Sequence, residues 1–396
     1  MQTKTINDLF TNVSSDSKRV IDQFGDLVEI PKTQVPIEYS PETGQRLGIL
    51  CEPPSTNYFP NSLDMDGGLA LTNGVFLAET TGANSILFFP RGLYFDGGVR
   101  DRFISKSATF TFESQKPWFY VGISFFVKFP DDSNPPVYGR SYMEGTDFHF
   151  KINGLEGIEA GGNIDIHEMK DGSYWVRARI KTPSRPLNEI SIGNSYWQTN
   201  RNFIITGLQI EPYMCTSPII TEGSSVQRSG NYIEFNAEPN KTINLQQGTV
   251  ELGYYLNHGS VGSALYAFSD TQKWDIGHVG EFQDNHESEP ISYSIKVNST
   301  GYENNLLYVN DQKDFNLTDW QTNHDLKIAY SPYGNRFTTN DSLIYKKKNY
   351  NYNETLDTPT KYRLGISESG ENINGYIRYF NIRARALTDE EIVING

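Results

Sequence analysis

The chain has 396 residues, a formal net charge of −14 from 48 acidic and 34 basic side chains, and only two cysteines, Cys51 and Cys215. That length exceeds one ordinary core and predicts two domains plus a terminal segment. The acidic balance argues against a nucleic-acid partner, no apolar run approaches the roughly 20 residues that cross a bilayer, and two cysteines cannot build a disulfide scaffold or a four-thiolate zinc site.

With 24 Tyr, 23 Phe, 34 Gly and 19 Pro, the chain suits short strands between tight turns better than helices. Residues 1–18 are polar and lack an apolar h-region, so no secretory signal is expected. They begin a predicted N-terminal arm over 1–37, an attachment segment for other proteins of an assembly; residues 17–24 have the composition of a short helical turn. From Arg19 the pattern reads as a strand, a turn at Gly25, a strand Leu27–Ile30, a Pro-rich link, a turn at Pro41-Glu42-Thr43-Gly44, and a buried strand over 47–51. Pro41 suits the second position of that turn and Gly44 its exit.

This stretch resembles the entry segment of a family of bacteriophage tail-fibre and head-decoration proteins. The matching residues are Asp22, Gly25, Leu27, Val28, Tyr39, Pro41, Thr43, Gly44, Gly48, Glu52, Pro53, Thr56 and Asn57. Cys51 stands where the family usually has an aliphatic residue, and Tyr58 where Leu is usual.

Residues 58–206 carry aromatic and β-branched runs at 109–112, 119–128, 148–152 and 174–180, which predict strands of a jelly-roll, carbohydrate-module-like sandwich. The run Asp171-Gly172-Ser173-Tyr174-Trp175 resembles a strand of the same phage family, with the two aromatics in swapped order. Its closing motif is matched at Gly207, Gln209, Glu211, Thr216, Ser217, Ile219 and Thr221. The resemblance thus brackets one domain, taken as 38–230. Since first and last strands of a jelly roll lie together, Cys51 and Cys215 are expected near each other, as two buried reduced thiols or, given the tight Cα separation that a disulfide needs, as a pair. Glu52 and Glu211 are likewise expected together, bonding backbone N–H groups rather than acting as an acid/base pair.

Short strands recur from 231 onward, at 232–235, 248–255, 264–268, 291–297, 305–310, 325–330 and 335–337. Such spacing predicts a second sandwich over 231–396. Its closing stretch holds a short strand from Tyr362, a long alternating strand from Gly375, and a short helix capped by Thr388 with Glu391 at its third position. That order resembles the end of the laminin-G / concanavalin-A-like lectin fold. The expected fold class is therefore all-β: two antiparallel β-sandwiches, jelly-roll-like then concanavalin-A-like, behind an N-terminal arm.

Candidate chemistry is sparse. Residues 161–170 resemble the strand motif of a glycosidase family of the concanavalin-A-like fold. Asp165 and Glu168 stand at its second and third acidic positions, but Asn163 occupies the nucleophile position and cannot form a glycosyl ester. None of the six histidines has the spacing of a zinc helix, although His278 and His286 flank an acidic loop with Asp284 and Glu287. Asp311 and Asp314 could serve Ca2+ but lack the spacing of a recognised calcium loop, so the expectation is no cofactor, with Ca2+ as the one alternative. The one basic–aromatic run puts Lys347 and Lys348 beside Tyr350 and Tyr352, a platform for sugar rings or a solvated hairpin tip. Trp274, expected in a turn, is a second candidate platform, with a buried core Trp as the favoured reading.

Together these features, with the family resemblance, imply a non-enzymatic virion structural protein of a tailed phage, a tail fibre or capsid-decoration protein. The expected partners are other virion proteins, further copies of the chain and a host-surface glycan, with no membrane insertion. The alternatives are a polysaccharide depolymerase, and a bacterial surface lectin, which the expected lack of a signal disfavours.

Overall fold

The computed structural model describes residues 6–107, 120–139, 146–152, 155–156, 163–181, 189–194, 201–235, 248–257, 263–268, 272–279, 293–299, 305–311, 323–331, 334–339, 342–348 and 361–388, save for short gaps inside the longer spans. The fold is nearly all β, and every ladder among the described residues is antiparallel. Two sandwiches carry it, as the alternation of short apolar runs with turn residues implies.

The first sandwich packs a six-stranded sheet on a five-stranded one. The six-stranded order is Asn163–Glu168, Tyr174–Lys181, Tyr120–Lys128, Phe203–Pro212, Arg91–Phe95, Val75–Glu79. The five-stranded order is Leu155–Glu156, His149–Ile152, Glu189–Asn194, Arg102–Ser107, Ala70–Leu71. Strand alternation sends Val121, Ile123, Phe125 and Val127 into the core between the sheets, against Phe148, Phe150, Ile192 and Phe203. Phe126 points the other way and stacks on Trp175, ring centroids 5.9 Å apart, in a second apolar layer with Ile21, Phe89 and Ile204. Burial on both faces explains the continuous apolar run in this strand. Gly122 interrupts it because a Cβ there would lie 2.0 Å from the carbonyl oxygen of Met214, whose segment crosses directly over the strand.

The second sandwich pairs two seven-stranded sheets. One runs Phe10–Val13, Tyr232–Phe235, Lys361–Leu364, Leu265–Phe268, Gln272–Val279, Tyr293–Ser299, Asn305–Asp311. The other runs Ser342–Lys348, Gly334–Thr339, Asn323–Ser331, Gly248–Leu256, Gly375–Arg383, Arg46–Cys51, Ile37–Tyr39. Val250, Leu252, Tyr254, Leu265, Ile328, Leu364 and Ile377 fill the space between them.

Two expectations are corrected here. The segment read as an arm over 1–37 packs within the chain from Phe10 onward: Phe10–Val13 pairs with Tyr232–Phe235, and Val35 enters the second core. The strand Arg46–Cys51, expected in the first sandwich, pairs with Gly375–Arg383 in the second, and Ile49 and Cys51 are core residues there. Between them the hairpin of Lys18–Ile21 and Leu27–Ile30 places Ile21 on the outer layer of the first sandwich and Val20 against Leu50 and Tyr376. A strand replaces the helical turn considered at 17–24. Residues 10–57 therefore stitch the two sandwiches together, because Phe10, Val20, Ile21, Val35, Ile49 and Cys51 pack on sheet faces or edges that would otherwise meet water. The helix expected after Thr388 lies outside the described residues.

Candidate functional site

The entry and exit motifs meet at the base of the first sandwich. Glu52 is 1% exposed and accepts from Ser217 Oγ at 2.8 Å, from the Ser217 N–H and from Arg228 at 2.9 Å, with the Lys18 ammonium 3.7 Å away. Glu211 accepts from Ser55 and Thr216 hydroxyls, each at 2.6 Å, from the Thr216 N–H at 2.9 Å, and from Gln209. Asn57 takes the Phe59 and Ile210 N–H groups, each at 3.0 Å, and donates to the Ile219 carbonyl. Burial works against the Glu52 charge, but Arg228, Lys18 and the Ser217 bonds outweigh it and hold the carboxyl below its ordinary range. Burial pushes Glu211 up despite its donors. The Lys18 amine is pushed down to about 8 by burial and by Arg228, against the pull of Glu52. Its members are at most a few per cent exposed, and they join the segments around Lys18, Glu52, Glu211 and Arg228 to one another. Cys51 and Cys215 are free and buried, as expected. Burial raises both thiols, Cys215 to about 12.

Asp165 and Glu168 do not converge. The ladder of Asn163–Glu168 against Tyr174–Lys181 runs without a register shift, so Asp165 and Glu168, three residues apart, lie on opposite faces. Asp165 pairs in register with Arg177, while Glu168 is exposed at the strand end.

The sequence-predicted sugar contacts are dispersed. Lys347 and Lys348 lie on Ser342–Lys348, the outermost strand of one seven-stranded sheet, in register with Asn335 and Gly334. Trp274 is not in a turn: it sits mid-strand in Gln272–Val279 of the other sheet, between Ala267 and Val297. Tyr350 and Tyr352 lie outside the described residues, as do Asp314, Asp284, His286 and Glu287. Asp311 ends the strand Asn305–Asp311. No group of three His, Cys, Asp or Glu side chains suited to a metal occurs among the described residues.

A different row of side chains has the chemistry of a ligand face. It lies on the outer side of the five-stranded sheet, across three adjacent strands. Phe148 and Phe150 turn into the core, so His149 and Lys151 turn out. Register places Phe103, Gly193 and His149 in one line, and Ser105, Ser191 and Lys151 in the next. His149 meets the Phe103 ring edge-on, centroids 5.1 Å apart, and the Lys151 ammonium stands 4.2 Å over the same ring. The Ser105 and Ser191 hydroxyls are 2.8 Å apart, and Ser191 also donates to Glu189 at 3.0 Å. His149 is 2% exposed, and neither ring nitrogen has a hydrogen-bond partner. Burial, with Lys151 adding to it, pushes its imidazole down to about 4. A buried imidazole without partners is uncommon in a folded protein. Sequence reasoning missed this row. The alternation of Phe148-His149-Phe150-Lys151 was its only legible signal, since Phe103 and Ser191 arrive from strands that sequence reasoning did not predict.

No family model matches the chain, and no curated protein does. Among solved structures it is similar to the CBM40 module of a Ruminococcus gnavus IT-sialidase bound to alpha2,6 sialyllactose, at 14% identity over 40% of this chain and 89% of that one, TM-score 0.26. A candidate carbohydrate binding protein from Bacteroides ovatus matches at 9% identity over 85% of this chain and 83% of that one, TM-score 0.28. The N-terminal tandem CBM22 domains of a Paenibacillus barcinonensis protein match at 10% identity over 85% and 98%, TM-score 0.26. At these TM-scores the likeness carries no argument for a ligand or a site.

Proposed function

We propose that the chain is a non-enzymatic adhesion protein of a phage virion, a fibre or decoration subunit, that engages a surface glycan through the outer face of its five-stranded sheet. The observation that carries the glycan reading is His149: a nearly buried imidazole with two unpartnered nitrogens, edge-on to an aromatic ring that also carries the Lys151 ammonium, with the Ser105 and Ser191 hydroxyls in the next register line. A sugar offers hydroxyls that donate and accept, and C–H faces that pack on aromatic rings. A sugar face that packs on Phe103, which is 8% exposed, displaces the Lys151 ammonium from over that ring.

The virion reading is supported by the two motifs that resemble the phage family, whose residues meet in one buried network. Attachment through a free arm loses residues 10–37 to pairing and packing inside the chain. The separation of Asp165 from Glu168 across the strand speaks against the depolymerase alternative.

The test is a glycan array with the labelled full chain, followed by Phe103→Ala and Lys151→Ala. Binding is expected for the wild type and lost in both variants, with Lys347→Ala and Lys348→Ala unaffected. No bound sugar, or binding indifferent to Phe103 and Lys151, overturns the glycan reading. Absence of the chain from purified particles, probed with an antibody, overturns the virion reading, and breakdown of capsule or lipopolysaccharide by the pure chain overturns the non-enzymatic one.

A further inference from the structure

The strand Val75–Glu79 closes one side of the six-stranded sheet, and among the described residues nothing pairs with its outer edge. Its inner edge is matched to Arg91–Phe95 from Val75↔Phe95 to Glu79↔Arg91 without a bulge. Just beyond its two ends the Asp96 N–H donates to the Gly74 carbonyl at 2.8 Å, and the Thr80 N–H to the Pro90 carbonyl at 3.0 Å. Antiparallel alternation then turns the N–H and C=O groups of Leu77 and Glu79 outward, away from the sheet.

Edge strands are normally guarded by Lys, Pro, a bulge or a covering loop. Val75-Phe76-Leu77-Ala78-Glu79 has none of the first three, and it is exposed: Phe76 at 51%, Leu77 at 38%. Beside it Leu71, on the last strand of the facing sheet, is also exposed.

We propose that this edge pairs with the same strand of a second copy of the chain, antiparallel and two-fold about Leu77. The sequence of the strand fits itself. With Leu77 opposite Leu77, Phe76 faces Ala78 of the other copy on the outer side of the sheet, large against small, and Ala78 faces Phe76 in return. Val75 faces Glu79, so the two Glu79 carboxylates stay at opposite ends of the ladder. Each carboxylate is already matched by Arg91 at 3.1 Å in its own copy. The strip itself therefore adds no net charge to the contact on a chain of net charge −14. Such a contact is isologous and closes after two copies.

The test uses the full chain and does not depend on the glycan reading. Light scattering is expected to give twice the 44.9 kDa chain mass, halved by Leu77→Lys while the melting temperature holds. In a hydrogen-bonded antiparallel pair the two Leu77 Cα atoms stand about 5.5 Å apart, within disulfide reach. Leu77→Cys is therefore expected to cross-link to itself under mild oxidant, with Cys51 and Cys215 silent because they are buried and their thiols raised. Glu79→Cys is expected not to, its mate lying about 13 Å along the ladder. A wild-type monomer, a dimer indifferent to Leu77→Lys, or cross-linking that fails to favour position 77 over 79 overturns the proposal.

Discussion

Thr216 and Ser217 give their consecutive backbone N–H groups to different carboxylates, Thr216 to Glu211 and Ser217 to Glu52. The two acids reach that dipeptide from strands far apart in sequence, and Arg228 ties Glu52 to the Thr216 hydroxyl and the Ser217 carbonyl. A buried charge cluster of this kind is costly to break from one side only.

Removing one partner from the cluster leaves the other buried and unmatched. Glu52→Gln is expected to lower unfolding free energy by about 3–5 kcal/mol, since Arg228 and Lys18 both lose their counter-charge. Arg228→Met is expected to cost less, because Lys18 remains beside Glu52. Urea titration of both single variants and the double variant should show coupling of about 1–3 kcal/mol. Additive losses would mean that the carboxylate and guanidinium act independently.

Glu38 has one carboxyl oxygen bonded by the Ile21 N–H and the other buried without a partner. Burial pushes it up to about 8, with Glu52 adding and Ile21 and Arg177 opposing. The folded state keeps a proton that the unfolded chain releases near 4.5, so this group's stabilisation is complete below 4.5 and lost as pH rises to 8. The slope it contributes in that window is up to about 1.4 kcal/mol per pH unit. Melting temperatures of Glu38→Gln across the window should be flatter than those of the wild type; parallel curves would refute a buried neutral Glu38.

His149 works in the opposite direction. Its imidazole charges near 6.5 in the unfolded chain but only near 4 when folded, so its contribution is present above 6.5 and lost as pH falls to 4. The loss is up to about 3 kcal/mol. His149→Gln should remove that acid-side slope. An NMR titration placing the His149 pKa near 6.5 would show that its surroundings do not exclude the charged form.

Residues 231–396 expressed alone should not melt cooperatively. The fragment lacks Phe10, Val35, Ile37, Ile49 and Cys51, all of which pack in the second core, and it opens the edge of Gly375–Arg383 to water. Fusing residues 6–57 back through a flexible linker is expected to restore a sharp transition. A sharp melt of the bare fragment near that of the full chain would show the N-terminal strands to be dispensable.

Much of this architecture was legible in sequence wherever alternation is strong. The strand Leu27–Ile30, the run through Phe125 and the closing strand from Gly375 announce themselves by side-chain pattern, and the meeting of Glu52 with Glu211 followed from the order of the two motifs. The destination of the N-terminal strands was not legible. Phe10-Thr11-Asn12-Val13 is too short to show a period, and which sheet accepts it depends on edges created hundreds of residues later. The row at His149 was hidden for a similar reason. Arg102–Ser107 and Glu189–Asn194 show few apolar residues, and only the sheet brings Phe103 and Ser191 beside His149.

The pairing of Ile49 with Ile377 carries a consequence for biosynthesis. A ribosome releases Ile49 long before its mate exists, so the early strands must wait, exposed or chaperoned, while the first sandwich closes around its own residues. Contacts of such long sequence separation slow folding and invite aggregation of the nascent chain. Yield in the host should depend on how well those waiting segments are shielded, more than on the final strength of the fold.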